Sequence, residues 1–206
     1  MAPEFEMHHG SDSLNLSLVQ DQAALSVGGH YTFSGDIVTQ ARLWMQGIRR
    51  QLYTKMIRDF KFPANNPMST NQAFLLGTRA GGLALRRSDL GVINVGAKAD
   101  IVVYDGSAPG LLGWQDAITA IILHSNIGHI KHVLVDGEWK KKDGELRCVP
   151  NQTDAQAKFL ASARKVQEFW ERTPSPDGFD GVFQGSGAQY GQIEKVDVMR
   201  GPLNGY

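Results

Sequence analysis

Cysteine is nearly missing from this sequence: Cys148 is the one cysteine in 206 residues. A single thiol excludes an internal disulfide framework and any zinc site built on two or more sulfurs. An excess of either charge is missing too, because Lys+Arg 21 and Asp+Glu 21 cancel to a formal net charge of zero. That balance argues against binding duplex nucleic acid, which needs a basic face to displace counterions. The short basic clusters Arg49-Arg50 and Lys140-Lys141-Lys142 read as solvated faces. No apolar run approaches the ~18 residues of a membrane span. The start, Met1 to Glu6, has neither the basic n-region nor the apolar h-region of a signal peptide. A soluble, cytoplasmic protein is expected.

Glycine, by contrast, is plentiful at 23 residues, about 11% against the usual ~7%, so turns are many. Phe5–Met7 and Ala23–Val27 read as short strands, the second ending at Gly28-Gly29. Ser34 or Asp36 can then cap a helix, since a short side-chain oxygen accepts from the unpaired first-turn amides. Ile37, Ala41, Trp44, Ile48 and Leu52 follow at helical spacing as one apolar stripe, with Arg42, Arg49 and Arg50 off it. The run from Pro63 to Pro67 breaks the chain. Ser69 and Gln72 then form a capping box for a helix reaching about Ala80, which Gly81-Gly82 would end.

Beyond this point the period changes from helical to alternating. Ile101–Tyr104 and His132–Val135 are β-branched runs, and Gln115 to Leu123 between them is a short helix. Asp136-Gly137 and Asp143-Gly144 are hairpin turns around Glu138-Trp139-Lys140, because both turn positions want positive φ. Thr153 or Asp154 caps a last helix with Phe159, Ala163, Val166 and Trp170 on one face, and the tail beyond Pro174 reads as a surface segment. Two βα units cannot close a (β/α)8 barrel, which takes about 250 residues. Further strands are therefore expected upstream, and the apolar stripe should be left waiting for them.

The stretch Asn71 to Leu85, with Asp89-Leu90-Gly91-Val92-Ile93 and the run Gly96-Ala97-Lys98-Ala99-Asp100-Ile101-Val102-Val103-Tyr104-Asp105, resembles the carboxy-terminal end of metal-dependent amidohydrolases. The likeness is to the cytosine deaminase and chlorohydrolase-like branch, especially its fungal members, and Val133-Leu134-Val135-Asp136-Gly137 matches a further family segment. The resemblance implies an α/β chain: a partial TIM barrel comprising the last two βα units, then the carboxy-terminal half of a small β-sandwich. Domain bounds on this reading are 1–86 for the barrel end, 87–150 for the sandwich portion and 151–206 for helix and tail. It also implies chemistry in which a metal-bound water attacks a carbon bearing an amine or amide. Complete relatives carry zinc or iron on histidines and an aspartate. This chain has no His-x-His, and Gly28 occupies the place of the aspartate that ends the eighth strand. A glycine has no oxygen to offer, so no metal cofactor is expected on this chain.

Glu6, in the stretch resembling the family's seventh strand, is a candidate for substrate contact or for acid and base work, or else a strand carboxylate paired with a neighbour. His8, His9 and His30 fall where barrel strands end, where active sites of this fold lie. They are either substrate contacts and acid–base groups or plain loop histidines, and Glu6, His9 and His30 are the candidate set. His124, His129 and His132 read as structural, Cys148 as inert, and the four tryptophans as packing residues. Two functions follow. One is a hydrolase of non-peptide C–N bonds in a small molecule, deaminase-like, truncated and metal-deficient as it stands. The other is a degenerate remnant, acting as a partner subunit or with new acid–base chemistry. The expected partners are a small-molecule substrate and a second subunit or copy of this chain, with no nucleic acid and no membrane.

Overall fold

The computed structural model describes residues 23–28, 35–147 and 152–173. The chain divides into two units, Met1–Pro150 and Asn151–Tyr206. Helix α1, Ile37–Arg58, is started by Asp36, whose carboxylate accepts the Thr39 amide at 2.8 Å. Its apolar stripe is not left waiting. Ala41, Trp44, Met45 and Ile48 are buried together with Met68, Ala73, Leu76 and Ile122, and Leu52 packs on the same cluster. Apart from Met68, in the turn before α2, the partners come from α2 (Thr70–Gly77) and α4 (Ala117–His124). The stripe thus finds cover within this chain, against the expectation that it would need further strands.

Helix α2 opens with the expected capping box, Gln72 Oε1 accepting the Ser69 amide at 2.8 Å and Ser69 Oγ the Gln72 amide at 3.2 Å. It ends earlier than read. Thr78 breaks it, and a second short helix α3, Arg79–Ala84, carries Gly81 and Gly82 inside rather than after its end. The reason lies in packing. A Cβ on Gly82 would sit 2.6 Å from the Leu90 carbonyl oxygen, so the glycine lets the following loop close over α3.

Four antiparallel strands form one sheet in the order β1 (Ile101–Tyr104), β2 (Ile130–Val135), β3 (Glu138–Lys142), β4 (Glu145–Leu146). Both Asp-Gly turns take positive φ at both positions, 50° and 83° at Asp136-Gly137 and 53° and 83° at Asp143-Gly144. This is the pattern that matches strand twist. Helix α4 is capped by Asp116, which accepts the Thr119 amide at 2.8 Å.

Ala23–Val27 forms no strand. Ala23 and Leu25 pack on the core, and the Leu25 amide donates to the Leu76 carbonyl at 3.1 Å. With no strand beside it among the described residues, it has no ladder to join. Phe5–Met7 lies outside the described residues.

In the second unit, helix α5 spans Gln152–Arg172. It begins before its expected caps, so Thr153 and Asp154 fall in the first turn, where a carboxylate suits the helix dipole. Phe159, Val166 and Trp170 lie along it at helical spacing, as read. Asp154–Lys158 at 2.7 Å is an i,i+4 ion pair on this helix.

Candidate functional site

Gly28 follows Val27 with φ of +61°, its amide donating to Ser26 Oγ at 3.1 Å. It is exposed and offers a cation no side-chain oxygen. Among the described residues no three His, Cys, Asp or Glu side chains come together as a metal could use. The donor set described here therefore does not fit the metal implied by the resemblance. Glu6, His8, His9, His30 and Cys148 lie outside the described residues.

The described residues build several concavities elsewhere, one of them walled mainly by apolar side chains of the core. A cavity of about 380 Å³ lies between α1, α2, α4 and β1, lined by Ile37, Ala41, Phe74, Ile101, Tyr104 and Ile122 among others. Three polar groups touch it, and each is engaged. Asp100 Oδ1 accepts the Asp136 amide at 2.7 Å, and the Thr78 hydroxyl donates to the Phe74 carbonyl at 2.8 Å. Burial pushes the Tyr104 phenol above its ordinary pKa, against an opposing hydrogen bond with Ser125. The cavity can hold an apolar body. It carries no activated nucleophile or acid–base pair.

His124, His129 and His132, read as structural, all lie among the described residues. His129 Nδ1 accepts the Asn126 amide at 3.3 Å and closes the turn before β2. His132 Nδ1 accepts the Asp143 amide at 3.1 Å, and its ring meets Trp139 edge-on with centroids 5.5 Å apart. His124 ends α4. Of the tryptophans, Trp44 is core, and Trp139 also carries Lys142 Nζ 5.4 Å from its ring centroid.

Two arginines have roles that their sequence positions do not reveal. Arg42 donates through Nε to the Ile122 carbonyl at 2.8 Å and through Nη2 to the Ser125 carbonyl at 2.7 Å. These are among the carbonyls at the end of α4 that lack helical partners. Arg49, read as part of a solvated face, instead donates to the Pro67 and Met68 carbonyls at 3.0 and 2.7 Å. Met68 stands at a left-handed φ of 60°, in a turn whose carbonyls need a donor.

No family model matches the sequence. The curated 5'-deoxyadenosine deaminase of Methanopyrus kandleri is 34% identical over 83 residues, 39% of this chain and 19% of that protein. The zinc-bound adenosine deaminase from Xanthomonas campestris shares the fold with TM-score 0.53 and 20% identity over 67% of this chain and 28% of its own. The zinc complex of atrazine chlorohydrolase from Arthrobacter aurescens TC1 gives TM-score 0.62 and 17% identity over 81% of this chain and 34% of its own. The structural neighbours are amidohydrolase-superfamily deaminases and chlorohydrolases. The chain is similar to them in a mixed helix-and-sheet fold and spans about a third of their length or less. Both of these amidohydrolase neighbours hold zinc. No helix among the described residues is long and apolar enough to cross a membrane.

Proposed function

We propose that this chain is the carboxy-terminal portion of a deaminase-like amidohydrolase acting on non-peptide C–N bonds of a small molecule. The observation that carries this reading is the local identity to a 5'-deoxyadenosine deaminase, 34% over 83 residues. In this reading residues 1–86 belong to the end of a barrel, 87–150 to a small β-sandwich, and 151–206 to a helix with a surface tail. Glu6, His9 and His30 sit at the substrate end of the barrel, and the protein works in the cytoplasm. Metal-assisted hydrolysis needs three well-placed protein ligands and a water. Gly28 cannot supply one of them, so the hydrolytic site depends on polypeptide beyond these 206 residues.

The test is an ammonia-release assay with 5'-deoxyadenosine and adenosine, alongside chloride release from atrazine. The chain alone is expected to be inactive. Mixed with the part of the Methanopyrus deaminase that it does not match, it should turn over an aminated purine nucleoside. Metal-dependent turnover by the chain alone would overturn the dependence on further polypeptide.

Gly28 itself favours a second reading, a metal-free partner subunit descended from such an enzyme. Here Gly28→Asp separates the two. If the chain serves catalysis in a mixed assembly, the added carboxylate should raise metal retention and turnover of that assembly. If the chain is a non-catalytic partner, the substitution should change neither.

A further inference from the structure

The two edges of the sheet differ in kind. The β4 edge is two residues long, Glu145–Leu146, with Arg147 beside it, a short and charged edge that resists pairing. The β1 edge reads Ile101-Val102-Val103-Tyr104 and has neither charge nor proline within it. The register shift between β1 and β2 leaves Lys131 as the extra residue on β2, so β1 itself runs on without an interruption.

Which peptide groups of β1 remain open follows from alternation. The Ala99 carbonyl accepts the Gly137 amide at 3.1 Å, and the Asp105 amide donates to the His129 carbonyl at 2.8 Å. Both point toward β2, and peptide groups alternate along a strand. Ile101 and Val103 therefore also face β2, while the amides and carbonyls of Asp100, Val102 and Tyr104 face the open edge. Val102 is 49% exposed and Ile93, which lines the cavity with it, 89% exposed.

We propose that two copies of this chain pair antiparallel through β1, with Val102 opposite the partner's Val102 on a two-fold axis, joining two four-stranded sheets into one. This register is self-complementary. Each Val102 donates to and accepts from the other, and Asp100 exchanges the same pair of bonds with the partner's Tyr104, about six bonds in all. Charge fits as well, because no carboxylate stands opposite another. The Lys98 end of one strand meets the Asp105 end of the other, and a formal net charge of zero adds no long-range repulsion.

The experiment is light scattering behind size exclusion on the full chain over a concentration series. A dimer is expected. Val102→Pro removes only an outward amide, so it should raise the dimer dissociation constant at least about tenfold while far-UV dichroism stays unchanged. A monomer at every concentration overturns the proposal. So does a dimer that Val102→Pro leaves intact. Should Val102→Pro fail to fold, Val102→Cys in a Cys148→Ser background decides the question. Paired residues of this type bring Cα atoms to about 5.5 Å, within disulfide reach. Mild oxidation should then link two chains, and failure to link overturns the pairing.

Discussion

Gly81 and Gly82 are neighbours with opposite demands. A Cβ on Gly81 meets nothing within 4 Å, whereas one on Gly82 would meet the Leu90 carbonyl oxygen at 2.6 Å. Gly81→Ala should stabilise α3 by about 1 kcal/mol through helix propensity. Gly82→Ala should cost about 1–3 kcal/mol because backbone must move. Urea denaturation of both variants measures the difference, and equal effects would refute the close approach of the loop to α3. Gln40 offers another residue-scale prediction. It is fully buried on α1, and neither its side-chain oxygen nor its nitrogen has a hydrogen-bond partner. An unpaired buried amide costs about 1–3 kcal/mol. Gln40→Met, similar in volume and unbranched, should therefore raise the urea midpoint. A lowered midpoint would mean that the amide is satisfied in solution.

Among the elements, the helix starts carry separable stability. Asp36→Ala leaves the Thr39 amide without its acceptor and should cost about 0.5–2 kcal/mol, read as a lower thermal midpoint. Asp36→Asn should restore most of it. The loop between α3 and β1 carries a pH signature. The Arg87 guanidinium beside Asp89 holds that carboxyl at about 2, below its ordinary 3.8, and the Asp89 carbonyl accepts the Lys98 amide at 3.0 Å. A depressed carboxyl favours the folded state above its unfolded pKa, and the benefit fades as pH falls through the folded value. Carbon-detected titration should find Asp89 ionised down to about pH 2, and Arg87→Gln should return it toward 3.8.

The elements were legible where cause and effect are neighbours in sequence. The Asp36 cap, the Ser69–Gln72 box and both Asp-Gly turns depend on residues within a few positions of each other. Gly82 could not be placed correctly, since its reason is Leu90 in a loop that doubles back. Arg42 and Arg49 were unreadable for the same cause. The carbonyls that Arg42 holds are 80 and 83 residues away. For the site, Gly28 was legible as a residue with no side-chain oxygen, because that is a property of one residue. The cavity was not, because its walls come from three helices and a strand.

At the scale of the whole molecule, the burial of Trp44, Met45 and Ile48 gives the first unit a core of its own. Ile48→Ala should then cost about 2–5 kcal/mol and lower the thermal midpoint of one cooperative transition. A broad, midpoint-free melt of the parent chain would contradict such a core. The same scale sets the metal prediction. A cation that bound the folded chain tightly would raise its melting temperature by linkage. Excess zinc should leave the midpoint unchanged, and dialysed protein should hold well under one equivalent. Stoichiometric zinc lost on replacing His8, His9 or His30 would place a metal on histidines outside the described residues.

The order of the strands has a consequence for synthesis on the ribosome. β2, β3 and β4 follow one another through two-residue turns, so each can pair almost as soon as it emerges, on the ~1–10 μs scale of hairpin closure. β1 emerges before them all, yet its partner β2 lies beyond α4. At translation rates of about 5–20 residues per second, the 25 residues between them, 105–129, hold β1 unpaired for roughly 1–5 s. During that interval both sides of Ile101-Val102-Val103-Tyr104 are open. Nascent chains stalled with β1 outside the exit tunnel and β2 still within it should therefore recruit chaperones that bind extended apolar segments, and chains stalled soon after β2 has cleared the tunnel should release them.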